Sequence, residues 1–455
     1  MTDTIAAIAT GYARTAIGIL RISGPAARQV LARVFTPFGK QPLVEHPPQS
    51  LIYGQLHAPD GAVLDNCLAT YSVAPASYTG EDTAELQCHG SPTMLAAGLE
   101  ALFAAGARQA LAGEFTRRAF LNGKMDLAQA EAVMGLISAS GEQSRKAALA
   151  GSTGVLSRKI ESIKQGLLEQ AAHLAAWADF PEEDVPQVEE AALLEGIRQG
   201  KKALEELLQG FDRGRMYREG LVTVIAGRPN AGKSTLMNLL SGCQRSIVTQ
   251  YAGTTRDVVE ETVMVAGVPL RLADTAGIRD TDDPVESIGV QAARQRLETA
   301  QLVLAVFDSS QALEKEDWEL MDALENVPAI AIVNKSDLPT RMDVEAIQKR
   351  FEKTVSLSAA TGEGLAALEQ ALSEIMDTKD FHPQEGVLFT QRQRMDAQTA
   401  LDSLREGEQA LVLGLTLDAV TVCVEDALHA LAALTGEQVS EEIVDRVFEE
   451  FCVGK

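Results

Sequence analysis

The chain has 455 residues, with 40 Lys and Arg against 64 Asp and Glu, a formal net charge of −24. That balance excludes a generally basic nucleic-acid coat, because neutralising phosphates needs clustered Lys and Arg, so any RNA contact must be local. The length predicts about two to four domains at roughly 100–200 residues each, and 46% hydrophobic content is that of an ordinary globular chain.

The five cysteines, Cys67, Cys88, Cys243, Cys423 and Cys452, form no Cys-x-x-Cys pair. The sequence therefore points to neither a disulfide framework nor a zinc site, and a reducing, cytoplasmic compartment is expected. The N-terminus lacks a basic leader, and no apolar run approaches the ~18 residues that span a bilayer, so neither secretion nor membrane insertion is expected.

Residues 1–120 alternate short β-rich runs such as IAAIAT and IGILRISG with helical stretches such as TMLAAGLEALFAAGA, which predicts an α+β domain. From 121 to 217, LAQAEAVMGLISAS and IESIKQGLLEQAAHLAAWADF place apolar residues three and four apart, which predicts long amphipathic helices. The stretch FPEEDVPQVEE interrupts them and reads as a solvated loop. From 218 to 383 strand and helix patterns alternate, as expected of an α/β parallel sheet, and from 384 to 455 the helical pattern returns. The economical reading is a helical domain in two segments with the α/β domain inserted between them; two independent helical domains are the alternative. Residues 1–120 are almost neutral, with 8 basic and 9 acidic residues, so an anionic ligand outside the nucleotide pocket is expected there or on the first helical segment.

GRPNAGKS, Gly227 to Ser234, follows the apolar strand LVTVIA and precedes the helical TLMNLLSG, the context a P-loop requires. Asn230, Ala231, Gly232, Lys233, Ser234 and Thr235 would line the phosphates. Backbone N–H groups and the helix N-terminus meet the anion, Lys233 reaches the β and γ phosphates, and the Ser234 hydroxyl ligates Mg2+. DTAG (Asp274, Thr275, Ala276, Gly277) ends a second strand, where a carboxylate can hold Mg2+ through water. NKSD ends a third, with Asn334, Lys335 and an Asp337 carboxylate able to accept from the guanine N1–H and amino groups, which favours GTP over ATP. Ser358 and Ala359 of SLSAATGEG stand where the last base-contacting loop falls, and Thr255 of GTTRD would complete the Mg2+ shell. In this order the motifs resemble a Ras-like GTPase domain. Where such enzymes commonly carry a water-orienting Gln after DTAG, this chain has Ile278, so the hydrolytic apparatus must be assembled from other groups. Arg256 and Arg279 read either as arginine fingers or as surface residues.

GRPNAGKS, GTTRD, DTAGIR and VESIGV, together with GILRISG, TGEDTAELQCHG, GEFTRRAFLNGKMDLAQAEAV, DFPEED and the terminal FCVGK, closely resemble the MnmE (TrmE) family of tRNA-modification GTPases over the whole chain. The resemblance implies a folate-binding-like N-terminal domain, a discontinuous helical domain and an inserted G domain. It implies a K+ ion at the arginine-finger position, held by Asn230, Thr249, the Tyr251 carbonyl and Thr254. The surrounding loop, with Gln250, Ala252 and Gly253, would contact GTP. Glu286 would orient the attacking water, while Asp282 and Asp283 read as solvated loop acids. A tetrahydrofolate derivative, 5,10-methylene or 5-formyl, would meet Arg21, Glu85, Lys124 and Lys455. Cys452 reads either as a thiol nucleophile or as a small packing residue. The resemblance further implies a homodimer, closed face to face through its G domains, and an FAD-dependent partner, MnmG (GidA). With it the chain would install an aminomethyl or carboxymethylaminomethyl group at C5 of the wobble uridine, U34, of tRNA. A GTPase switch acting on ribosomal RNA without modification chemistry is the alternative.

Overall fold

The computed structural model describes residues 3–11, 13–139, 141–179, 190–243, 261–265, 267–272, 300–375, 382, 385–449 and 451–454. Its contacts divide the chain into two compact units, one made from 1–134, 152–201 and 390–455, the other from 135–151 and 202–389. The acid-rich stretch 180–189, read above as a solvated loop, lies outside the described residues.

In the first unit, β1 (Ile5–Ile8), β2 (Ile17–Ser23), β3 (Phe35–Pro37), β4 (Ile52–His57), β5 (Val63–Ser72), β6 (Thr83–His89) and β7 (Arg108–Gln109) form one sheet. The order is β3-β4-β5-β6-β2-β1-β7, antiparallel throughout except for β1 beside β7. The alternation of GILRIS sends Leu20 and Ile22 into a core shared with Val30 and Leu31 of helix Ala27–Val34 and with Leu95 and Leu102 of helix Pro92–Ala104. Arg21, between them, therefore lies on the other face, where the register sets it opposite Glu85 of β6 and Ala7 of β1. On that face Ile5 and Ala7 pack with Phe115 of helix Glu114–Leu121.

A buried polar network braces this layer. The fully buried Arg118 donates to the Asp3 carbonyl and carboxylate, to Glu81 and to Glu114, and Arg108 binds Glu114 and Asp3 from the other side. Burial would raise the Asp3 and Glu114 carboxyls, but the two guanidiniums hold both below the ordinary range.

Helices from before and after the strand-rich middle of the chain pack together in the same unit. Leu156, Ile160, Leu167 and Leu174 of helix Val155–Asp179 recur on one side, as do Val420, Val424, Ala427 and Leu431 of helix Leu417–Thr435, and the two helices pack together. Helix Gln391–Val412 lies along the second of these, and its first turn is capped by Thr390, whose hydroxyl accepts from the Gln393 N–H. Two residues after that cap, Arg392 donates through Nε and Nη2 to the two oxygens of the buried Glu131, at 2.9 and 2.8 Å. It also donates to the Ala433 and Leu434 carbonyls at the C-terminal end of Leu417–Thr435. A cation there satisfies both a buried carboxylate and orphan helix carbonyls.

The second unit carries β8 (Leu221–Ala226), β9 (Glu261–Val265), β10 (Val268–Leu272), β11 (Leu302–Asp308), β12 (Ala329–Asn334) and β13 (Lys353–Ser356). Their order is β13-β12-β11-β8-β10-β9, parallel except for β9 beside β10. Every residue of β11 is buried, as expected of a strand covered on both faces. The change from helix to strand is made by Gly220 at φ 77°, whose N–H returns to the Met216 carbonyl one residue before β8 begins. A side chain there would also stand 2.6 Å from the Pro269 carbonyl oxygen. Among the described residues, no helix is long and apolar enough to cross a membrane.

Candidate functional site

In open parallel sheets ligands bind beyond the carboxyl ends of the strands, and three such ends carry sequence motifs here. β8 runs into GRPNAGKS, and the helix Lys233–Cys243 starts at the lysine. Gly232, at φ 100°, brings its Cα so close to the Asn334 amide nitrogen that a Cβ would stand 2.1 Å away, so only glycine fits. Asn230 adopts φ 62°, a left-handed conformation that Asn tolerates better than most residues. Ser234 and Thr235 are exposed at the helix start. Lys233 Nζ donates to the carbonyls of Gly227 and Arg228, at 2.9 and 2.6 Å.

Asn334, at the end of β12, joins two other loops. Its Nδ2 donates to the Ala231 carbonyl at 2.8 Å and its Oδ1 accepts from the Ala359 N–H at 3.0 Å. One buried side chain thus holds GRPNAGKS, NKSD and SLSA in a single arrangement. Lys335, at φ 62°, donates to Asp308 at 2.6 Å. Burial would raise the Asp308 carboxyl, but Lys335 and two bonds from Ser310 hold it below the ordinary range. Asp337 is exposed, and Ser358 is buried with its hydroxyl accepting from the Thr361 N–H. Thr249, Gln250, Tyr251, Ala252, Gly253, Thr254, Thr255, Asp274, Thr275, Ala276, Gly277 and Glu286 lie outside the described residues, as do Arg256, Ile278, Arg279, Asp282, Asp283 and Lys455.

In the first unit, Arg21 Nε donates to Glu85 Oε1 at 2.8 Å and Nη1 to the Gly454 carbonyl at 3.3 Å. The guanidinium carbon sits 6.0 Å from the Tyr78 ring centroid and 5.8 Å from that of Phe115. The tail is held in place by a bridge between Val453 and Ala112 and by the Gly113 N–H donating to the Cys452 carbonyl. Phe448 and Phe451 bury their rings beside Leu127 and Phe120 and so anchor the turn before it. Cys452 is exposed, whereas Cys67 and Cys88 are buried. A hydrogen bond with the neighbouring Cys67, and then burial, push the Cys88 thiol far up, so it is a poor nucleophile. Lys124 is exposed and donates to the Pro75 carbonyl at 3.1 Å.

Sequence reasoning missed four contributors: Tyr78, Phe115, the Gly454 carbonyl and Asp308. Asp308 carried a usable signal, since it ends the apolar strand LVLAVFD as Asp274 ends LRLAD. The first three had none, being brought to Arg21 only by the fold.

A profile described as GTP-binding protein TrmE N-terminus matches residues 4–124, and one described as MnmE helical domain matches residues 127–452. The chain is 40% identical over 457 residues to the tRNA modification GTPase MnmE of Alkaliphilus oremlandii, covering 100% of this chain and 99% of that one. It is 42% identical, with the same coverage, to the MnmE proteins of Heliobacterium modesticaldum over 463 residues and Symbiobacterium thermophilum over 456. The chain belongs to the MnmE family of tRNA modification GTPases. It is accordingly a GTP-binding enzyme that hydrolyses GTP and takes part in tRNA modification, with an N-terminal TrmE domain, a helical domain and a P-loop G domain. The relatives are named for tRNA modification, the first of the two roles the amino-acid sequence left open.

Proposed function

We propose that this MnmE-family enzyme couples potassium-stimulated GTP hydrolysis to C5 modification of the wobble uridine, U34, of tRNA. It acts as a cytoplasmic homodimer with the FAD-dependent protein MnmG, and a tetrahydrofolate derivative supplies the one-carbon unit. The observation that carries this reading is the convergence of Arg21, Glu85 and the Gly454 carbonyl of the Cys-Val-Gly-Lys tail in a unit that does not contain the nucleotide motifs. A GTPase that acted only as a switch has no need of such a second polar site.

Arg21 and Glu85 bind each other through Nε and Oε1 only. A carboxylate oxygen and a guanidinium edge side by side match the donor and acceptor pattern of a pterin ring, and the Tyr78 ring supplies an aromatic wall. Glu85 would accept from the ring amino and N–H groups, Arg21 would donate to a carbonyl or carboxylate, and Lys124 and Lys455 would meet the glutamate tail. The exposed Cys452 stands in the same tail and is assigned the thiol role. The bound folate supplies the carbon at the required oxidation level.

In the G domain Lys233 is assigned to the β and γ phosphates and Asp337 to the guanine edge. Ser234 and Thr255 would hold Mg2+, and Asn230, Thr249, the Tyr251 carbonyl and Thr254 would hold K+. The exposed Ser234 hydroxyl at a helix start and an Asn side chain on an exposed left-handed turn suit hard cations that prefer oxygen. Such cations would offset charge developing on the phosphate oxygens. Glu286 would orient the water, since Ile278 offers it no hydrogen bond. The division 1–120, 121–217, 218–383 and 384–455 is retained as the domain organisation.

Nucleoside mass spectrometry of bulk tRNA from a strain lacking the protein should show loss of the wobble-uridine modification, restored by the wild-type gene and not by Arg21→Ala. Unchanged modification in the deletion strain would refute the assignment. Equal GTPase rates in K+ and Na+ buffers would defeat the potassium reading. Glu286→Ala should lower kcat with little change in GTP affinity.

A further inference from the structure

We propose that Arg228 is a positioning residue for the P-loop lysine. The inference rests on the assignment of Lys233 to the β and γ phosphates made above. Arg228 is the second residue of the loop, where a long cationic side chain ordinarily extends into water. Here it is only 12% exposed, with Nη1 2.6 Å from Glu314 Oε2 and Nε 2.9 Å from Asp317 Oδ2.

Those two acids form the capping box of helix Lys315–Ala323. Asp317 Oδ2 accepts from the Glu314 N–H at 3.0 Å, and the Asp317 N–H donates to the Glu314 carbonyl at 3.1 Å. The cap is complete without the guanidinium, so the helix does not need Arg228 to satisfy its first turn. What the guanidinium gains is a rigid mount, because Asp317 is buried and tied to a helix end.

The backbone of the same residue faces the phosphate site. The Arg228 carbonyl accepts from Lys233 Nζ at 2.6 Å and from the Ala231 N–H at 3.3 Å. The following Pro229 restricts the Arg228 backbone further, since a residue before proline loses much of its conformational space. Side chain and proline together fix the peptide plane whose oxygen holds the ammonium. Releasing the clamp lets that plane rotate and moves the charge, which weakens its charge-assisted contact with the phosphates.

The test is competition of GTP, GDP and GMP against a fluorescent GDP analogue on the full-length protein carrying Arg228→Met, Asp317→Asn or Lys233→Met, with thermal unfolding recorded for each. Lys233 reaches only the β and γ phosphates, so a misplaced ammonium penalises GTP and GDP and spares GMP. Arg228→Met and Asp317→Asn should weaken GTP and GDP about tenfold while GMP stays within about twofold of wild type. GTP affinity within twofold of wild type, or an equal loss for all three nucleotides, would overturn the proposal. If Arg228→Met does not fold, Asp317→Asn decides by the same criteria. Lys233→Met separates the two readings: if it lacks selectivity for GTP and GDP, the phosphate assignment falls and the clamp with it. If it is selective and the clamp variants are not, only the clamp is wrong.

Discussion

Replacing Arg392 with Met keeps the length and apolar stem of the side chain and removes its charge. In the wild type this guanidinium binds both oxygens of Glu131, which is 6% exposed, and also Asp396 and the carbonyls of Ala433 and Leu434. Taking away one partner of a buried ion pair leaves an uncompensated charge and costs about 3–5 kcal/mol. Gln393 and Thr390 still donate to Glu131, which places the expected loss near the lower end, about 3 kcal/mol. Denaturant unfolding followed by far-ultraviolet circular dichroism should show the loss, and Glu131→Leu added to Arg392→Met should recover most of it, because neither charge then remains. Burial holds the Asp396 carboxyl above the ordinary range despite Arg392. Removing the cation raises it further, so the folded variant binds protons more readily than the unfolded chain and its deficit should shrink as pH falls through that raised value. A loss under about 1 kcal/mol, or a double variant no more stable than the single one, would refute this account of how the helices are joined.

Asp3 and Glu114 behave in the opposite sense. Their folded carboxyls lie below the ordinary range, so their contribution is fully present above about pH 4.5 and is lost as pH falls through the lowered values. Acid titration followed by circular dichroism should show this loss shifted or diminished in Arg108→Gln. Asn334→Ala removes the side chain that holds the Ala231 carbonyl and the Ala359 N–H. At about 1–3 kcal/mol for a buried group left unpaired, GTP affinity should fall about tenfold or more by equilibrium fluorescence titration. Phe448→Ala deletes a ring from the cluster that anchors the tail. It should weaken binding of 5-formyltetrahydrofolate by isothermal calorimetry and leave GTP affinity unchanged; unaltered folate binding would show that the tail is held without that ring.

The nucleotide motifs were legible in the amino-acid order because each is a local object. For GRPNAGKS a strand, a turn of fixed backbone shape and a helix start follow one another between Leu221 and Lys233, and the glycines the turn requires mark it. Three- and four-residue spacing likewise marked the long helices, whereas the face that Arg21 occupies, opposite Leu20 and Ile22, came with the observed strand β2 and its register. The resemblance then brought Arg21, Glu85 and Lys124 forward as candidates, but their partners came only from the tertiary structure. Arg21 meets a carbonyl 433 residues away, and Arg392 binds a carboxylate 261 residues earlier. Neither pairing leaves a local signature, since a guanidinium and a carboxylate on separate segments look in sequence like any solvated charge. Arg228 is intermediate: its loop was evident, but its clamp on Glu314 and Asp317 depends on the packing that sets helix Lys315–Ala323 beside the end of β8. Amino-acid order alone determined which segments could hold a phosphate. Burial, by removing water as a competing partner, decided which distant charges had to find one another.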